Sequence, residues 1–146
     1  MTLLDTPGHV DFSAEMERTL QVLDYAVLVI SGADGVQSHT ITLWRLLAKY
    51  RIPVFLFVNK MDQPGTDREQ RMRELQKRLD DGCADFAGAG TEEFREHAAM
   101  CDETLLVRYL ETGDVEDDEI RRLIQDRRLF PCFLGSALKL TGVAGL

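Results

Sequence analysis

Four short apolar runs, alternating with segments of helical periodicity, constrain the fold of this 146-residue chain more than any other feature. The runs cover residues 2–4, 26–30, 54–58 and 130–134. Buried strands that alternate with amphipathic helices are typical of a parallel sheet flanked by helices. The sequence therefore predicts an α/β fold in which residues 1–146 belong to one domain.

Helices are predicted between these runs from the spacing of their apolar side chains. In the first, apolar residues recur at helical spacing at Phe12, Met16, Leu20 and Leu23. The other helices are predicted over residues 38–50, 67–79, 92–110 and 117–127, with Gly113 suited to a C-cap between the last two. Residues 80–90 have the weakest periodicity and are predicted to form a mobile loop.

Composition excludes several classes of protein. The net charge of −8 and the pI near 4.8 argue against a free-standing nucleic-acid binder, which usually carries a basic patch. Cys83, Cys101 and Cys132 are odd in number and irregularly spaced, so neither a disulfide framework nor a zinc site is indicated. No apolar run approaches the ~20 residues of a membrane span, and no export signal precedes the first run. These features favour a cytoplasmic protein.

The segment Asp5-Thr6-Pro7-Gly8-His9 directly follows the first apolar run. In Asp-x-x-Gly, the carboxylate can hold a phosphate-bound Mg²⁺ through water, and the glycine N–H can approach a terminal phosphate because no Cβ intervenes. An ordinary Pro-Gly turn is the alternative. The other histidines, His39 and His97, have no partner that spacing reveals and are predicted to be surface or capping residues.

The segment Asn59-Lys60-Met61-Asp62 follows the run 54–58, at the end of the strand where open α/β sheets bind their ligands. A carboxylate at Asp62 can accept hydrogen bonds from guanine N1–H and the exocyclic N2, while adenine presents the wrong edge. The Asn59 amide can brace neighbouring loops, and the Lys60 stem can lie over the base. A merely polar turn between strand and loop is the alternative.

Gly135-Ser136-Ala137 follows the last apolar run. Small residues after a strand are common, so this turn predicts little by itself. Its position after the run 130–134 is what makes it a candidate third loop of the same nucleotide site.

Together, these motifs resemble the later nucleotide-binding motifs of translational GTPases of the elongation factor G group. Residues 10–12, 34–37 and 51–53 also look like that group. Residues 105–110 and 129–137, and the short interval between Asp62 and Ser136, look more like the tetracycline-resistance ribosomal protection proteins. An elongation factor G-type translocation factor remains the alternative.

The resemblance implies hydrolysis of GTP to GDP and phosphate, with Mg²⁺ as cofactor and the ribosome as partner. His9 would position the attacking water, and Asp5 would hold Mg²⁺ through water. The resemblance assigns nucleotide contacts to Asp5, Thr6, Pro7, Gly8, His9, Asn59, Lys60, Asp62, Ser136, Ala137 and Leu138. In the family, the third loop gives a backbone N–H to guanine O6. Leu138 departs from the lysine or phenylalanine often found there, with Lys139 one step on.

A phosphate-cradling Gly-x-x-x-x-Gly-Lys-Ser/Thr loop requires a Gly-Lys pair, and the chain contains none. We therefore expect a partial P-loop-GTPase-like three-layer fold without its N-terminal strands, the C-terminal portion of a GTP-binding domain in a larger protein. Alone, it should hold GTP weakly and not hydrolyse it, as a non-catalytic α/β module. Without a neighbouring strand, residues 26–30 should form an exposed apolar edge. That edge would pair with another chain, or residues 2–8 would be displaced.

Overall fold

The computed structural model describes residues 14–146. Within them, a four-stranded sheet lies between two helical layers. Its strands are β1 (Ala26–Ser31), β2 (Val54–Asn59), β3 (Cys83–Asp85) and β4 (Phe130–Leu134). Six α-helices accompany them, the first before β1 and the others between strands: α1 (Ala14–Leu20), α2 (Ser38–Lys49), α3 (Arg68–Arg78), α4 (Glu92–Met100), α5 (Glu103–Thr112) and α6 (Asp117–Gln125). The predicted α/β class is confirmed. The predicted strand 2–4 and its displacement lie outside the described residues.

All strand pairs are parallel, in the order β1-β2-β4-β3. Ser31 is in register with Asn59, and Val58 with Leu134, so β1, β2 and β4 end at the same edge of the sheet. The three strands predicted at residues 26–30, 54–58 and 130–134 are therefore confirmed as a contiguous parallel unit. Their carboxyl ends place three loops side by side, at residues 32–37, 60–67 and 135–142.

The predicted mobile loop at residues 80–90 is wrong. It contains β3 and a 3₁₀ helix, Phe86–Gly88, so residues 14–146 contribute four strands to the sheet where the sequence predicted three. Cys83 and Ala84 are buried, and β3 pairs with the free edge of β4. A three-residue strand is too short to show a period, and tertiary pairing decides its conformation.

The predicted helix over residues 92–110 is also wrong in one respect, because it divides into α4 and α5. The break falls at Cys101-Asp102, where the Asp102 carboxylate accepts a hydrogen bond from Leu105 N–H at 3.0 Å and caps α5. The predicted C-cap at Gly113 is confirmed, since Gly113 ends α5 with a φ of 72°. His39 is exposed as predicted, but His97 is half-buried, and its Nε2 contacts no hydrogen-bond partner among the described residues.

Two apolar clusters hold the helices on opposite faces of the sheet. The first joins strand residues such as Leu56 and Val58 to Trp44 and Leu47 of α2 and to Leu75 of α3. The second packs α4, α5 and α6 over Phe55 and Ala84. No helix in residues 14–146 is long and apolar enough to cross a bilayer.

The β1 edge has no strand partner among the described residues. Val27 and Val29 are 50% and 60% exposed, whereas Leu28 and Ile30 on the opposite face are buried. The apolar cover of the sheet thus extends over one face of β1 only.

Candidate guanine-binding site

The candidate site lies where β1, β2 and β4 end. Backbone hydrogen bonds join the three loops that leave these strands: Gly32 N–H donates to Asn59 O at 2.6 Å, and Met61 N–H donates to Gly135 O at 3.0 Å. Gly135 N–H donates to Val58 O, also at 3.0 Å. The Asn59 and Gly135 loops are therefore continuous extensions of a paired sheet, which gives them a fixed relative position.

Asn59 connects two of the loops through its side chain. Its Oδ1 accepts hydrogen bonds from Lys60 N–H at 2.8 Å and from Ala137 N–H at 2.9 Å. Lys60 adopts a φ of 62°, a left-handed conformation that is costly for a residue with a Cβ. The bond from Lys60 N–H to Asn59 helps to stabilise that turn, and the bond from Ala137 provides the loop bracing that the sequence predicted for Asn59.

The Asp62 carboxylate lies against the Ser136 loop. Lys139 Nζ lies 3.3 Å from Asp62 Oδ2, and Ser136 Oγ accepts a hydrogen bond from Lys139 N–H at 3.3 Å in the same loop. The Ser136 side chain is the main factor that lowers the pKa of Asp62, and Lys139 lowers it further. Both interactions favour the ionised form, an acceptor on both oxygens.

A tight turn fixes the third loop. Ser136 N–H donates to Thr141 O at 2.9 Å and Thr141 N–H donates to Ser136 O at 3.0 Å, so the intervening residues form a closed loop. A Cβ on Gly135 would lie 2.0 Å from Thr141 O, and only glycine permits this approach. Ser136 is 2% exposed at the base of the loop, whereas Leu138 at its tip is 90% exposed.

The structure thus brings together Asn59, Lys60, Asp62, Ser136 and Ala137, with Leu138 on the exposed rim of the same loop. The other predicted site residues, Asp5, Thr6, Pro7, Gly8 and His9, lie outside the described residues, and their roles stay predictions. Between residues 14 and 146, no three His, Cys, Asp or Glu side chains are grouped so that they could hold a metal ion.

Sequence reasoning missed two contributors to the site. Lys139 pairs with Asp62, and Thr141 closes the loop that carries Ser136. The lysine one step beyond the usual position was a visible signal, but no spacing rule indicated that its ammonium would lie on the carboxylate. Nothing in the sequence singled out Thr141, because its role depends on the antiparallel bridge to Ser136.

Comparison with known proteins agrees with this geometry. Residues 1–146 match the family described as the elongation factor Tu GTP binding domain. The chain belongs to this family, a class of guanine nucleotide-binding domains found in translational GTPases. The fold is similar to the crystal structure of ttk003000868 from Thermus thermophilus, with a TM-score of 0.77 and 22% sequence identity. The match covers 97% of this chain and 28% of that chain, so this chain spans less than a third of its structural relative.

Proposed function

We propose that residues 59–62 and 135–138 bind the guanine base in a translation factor that hydrolyses GTP. The observation that carries this proposal is the position of the Asp62 carboxylate. It lies beside the Asn59 loop at the carboxyl edge of a parallel sheet, where the Ser136 and Lys139 side chains lower its pKa. Ligands of open α/β sheets bind at this edge.

In the proposed complex, both oxygens of Asp62 accept hydrogen bonds from guanine, one from N1–H and one from the exocyclic amino group. The aliphatic stem of Lys60 covers one face of the base. A backbone N–H of the loop 136–138 donates to O6. Ala137 N–H is bonded to Asn59 Oδ1, whereas Leu138 N–H has no hydrogen-bond acceptor among the described residues. Leu138 N–H is therefore the available donor, or Ala137 N–H is shared between Asn59 and O6.

Asp5, Thr6, Pro7, Gly8 and His9 are proposed to form the phosphate side of the site. When bound through Asp5, Mg²⁺ would neutralise charge that develops on the phosphates. Gly8 N–H would approach the γ-phosphate, and His9 would orient the attacking water. In the whole protein, His9→Ala should slow hydrolysis by a factor of ~10² while nucleotide affinity stays nearly unchanged, because positioning of water acts in the transition state.

At the level of the whole protein, we propose a cytoplasmic, ribosome-dependent GTPase of the ribosomal protection type, which confers tetracycline resistance. The support is the short interval between Asp62 and Ser136 and the sequences at residues 105–110 and 129–137. An elongation factor G-type translocation factor is the second candidate. Measurement of tetracycline resistance in cells that express the whole protein distinguishes the two, because only the first should raise the tolerated drug concentration.

The base site is tested by Asp62→Asn in the 146-residue chain. This change replaces one acceptor by a donor, so preference should change from guanine to xanthine nucleosides. Binding of guanosine and xanthosine is followed by NMR titration. Asp24→Asn, at an exposed carboxylate before β1 and thus at the opposite edge of the sheet, is the matched control and should leave preference unchanged. Retained guanine preference in Asp62→Asn would contradict the proposal.

The affinity of the same chain for GTP should be low. Its sequence has no Gly-Lys pair, so the amides and lysine that offset the desolvation of a triphosphate are not supplied by such a loop. Calorimetry should give a dissociation constant for GTP well above the micromolar range. A submicromolar value would mean that other residues bind the phosphates.

A further inference from the structure

Lys139 forms an ion pair with Asp62, the residue whose carboxylate is proposed to bind the base. Its Nζ lies 3.3 Å from Asp62 Oδ2, at a distance that forms an ion pair. The Asp62 side chain is 25% exposed and that of Lys139 is 61% exposed. The pair therefore lies at the surface opening of the site, where an incoming base would first contact the carboxylate.

Guanine and Lys139 compete for the same acceptor. The N1–H and the exocyclic amino group are the two donors that distinguish guanine from adenine. Recognition of both donors requires both oxygens of Asp62 as acceptors. With the ammonium on Oδ2, the edge that would face guanine is closed, so base binding has to move the ammonium away.

Only the side chain of Lys139 needs to move. Its backbone N–H donates to Ser136 Oγ at 3.3 Å, within the loop that the Ser136–Thr141 bridge closes. Its neighbours Leu138 and Leu140 are 90% and 76% exposed, so no packed layer covers the lysine stem. Rotation of an exposed lysine into solvent leaves the loop backbone in place, and the barrier to base entry is the ion pair itself.

We propose that Lys139 is a placeholder for guanine: it pairs with Asp62 in the nucleotide-free protein, is displaced by the base, and thereby sets the affinity of the site. This inference rests on the proposed function, because it assumes that Asp62 binds guanine. The lysine holds the carboxylate in place by the ion pair when the base is not bound. The lysine also disfavours ligands that lack two adjacent N–H donors, because such ligands cannot replace the contact between the ammonium and the carboxylate.

The test uses guanosine, which has no charged phosphate for a lysine to attract. Loss of an exposed ion-pair competitor should strengthen binding by a small factor, so Lys139→Ala should lower the dissociation constant for guanosine ~2- to 5-fold relative to the wild-type chain. Lys139→Arg retains a cation and should remain close to wild type. Lys77→Ala removes an exposed lysine from the last turn of α3, outside the site, and should also leave affinity unchanged.

The salt dependence of guanosine affinity provides a second test, because a purely structural role of Lys139 would not affect it. Raising NaCl from about 0.05 M to about 0.5 M screens the ion pair, so guanosine should bind the wild-type chain more tightly at high salt. The dependence should nearly vanish in Lys139→Ala and persist in Lys77→Ala. Each titration is followed at the backbone amides of the loop 135–142 by NMR.

Two failures can be told apart. If wild type and Lys139→Ala bind guanosine in preference to adenosine, but with equal affinity and equal salt dependence, the placeholder role is wrong and the base site stands. Weaker binding by Lys139→Ala would also overturn it, because the lysine would then be a ligand of the base. If neither protein prefers guanosine to adenosine, the proposed function fails, and this inference fails with it.

Discussion

Ala137 N–H donates a hydrogen bond to Asn59 Oδ1 at 2.9 Å, although the two residues are 78 positions apart in the chain. The bond joins the loop after β2 to the loop after β4. Because Asn59 also accepts from Lys60 N–H, one amide oxygen fixes both the left-handed turn at Lys60 and the position of the Ala137 loop. Asp62 and Ser136 are carried by these two loops, so their contact depends on this brace.

Replacement of Asn59 by alanine should loosen the brace. We expect faster amide hydrogen exchange at Lys60 and Ala137 and a loss of ~1 kcal/mol in the free energy of unfolding, the usual net contribution of a hydrogen bond. Exchange is measured by NMR and stability by urea denaturation. Asn59→Asp keeps an acceptor at the same place and serves as the control, with slow exchange retained at Ala137. Unaltered exchange at Ala137 in Asn59→Ala would show that the bridge from Ser136 to Thr141 holds this loop unaided.

Gly135→Ala should destabilise the third loop. The added Cβ would lie 2.0 Å from Thr141 O, a backbone atom that can move only if the loop opens. We expect a loss of about 1–3 kcal/mol in the free energy of unfolding, typical of overpacking. Gly88→Ala is the matched control, because its Cβ would meet only Thr91 Oγ1 at 3.6 Å. Equal stability of the two variants in thermal denaturation would be inconsistent with the close approach of the two loop ends.

Arg127 connects the end of α6 to the first apolar cluster. Its guanidinium lies 5.2 Å from the ring centroids of both Trp44 and Phe130, and it donates a hydrogen bond to Ile52 O. Burial lowers the pKa of Arg127, an effect that Asp80 opposes. Arg127→Ala should therefore cost about 1–3 kcal/mol in the free energy of unfolding, from the lost cation–π contacts and the unpaired carbonyl. Arg45→Ala, at an exposed position of α2, should cost much less in the same urea titration.

The stability contributed by Asp102 should depend on pH. The hydrogen bond from Leu105 N–H is the main factor that lowers the pKa of Asp102, and Arg128, 2.5 Å away, lowers it further. A carboxyl group whose pKa is depressed in the folded state adds stability above its unfolded pKa of about 3.9, and this is lost as the pH falls through the folded value.

Asp102→Asn keeps a capping acceptor but cannot ionise. The difference in the free energy of unfolding between wild type and Asp102→Asn should therefore be largest near neutral pH and shrink below about pH 4. Urea denaturation at a series of pH values measures it. A difference that stays constant across the series would show that the pKa of Asp102 is the same in the folded and unfolded states.

The local signals of the sequence were sufficient for the long elements. The runs 54–58 and 130–134 are apolar throughout because these strands are covered over much of both faces, and the run 26–30 is apolar although only one face of its strand is covered. The sequence places each run within a residue of its observed bounds. The motif at Asn59–Asp62 was likewise placed correctly, since any chain segment that follows a buried parallel strand must emerge at its carboxyl end. Gly113 was predicted as a C-cap because few other residues adopt a left-handed conformation at low cost.

Short elements and contacts between distant residues were decided by the tertiary structure. Cys83–Asp85 becomes a strand because β4 offers it an unpaired edge, and no three-residue segment carries that information. The division of residues 92–110 into two helices depends on Asp102, whose capping carboxylate is held by Arg128 from another part of the chain. Local propensity does not reveal such a partner.

The candidate site shows the same division most clearly. By itself, the sequence determined that Asn59, Asp62 and Ser136 would follow parallel strands, because strand polarity alone fixes the edge at which they emerge. Only the tertiary structure decided that the Lys139 ammonium would lie on the Asp62 carboxylate and that Ser136 would lower the pKa of that carboxyl. Those contacts depend on the order of β2 and β4 in the sheet and on the loop closed by Thr141. Both arise when the chain packs, because hydrogen bonds and ion pairs form between groups that are close in space, whatever their separation in sequence.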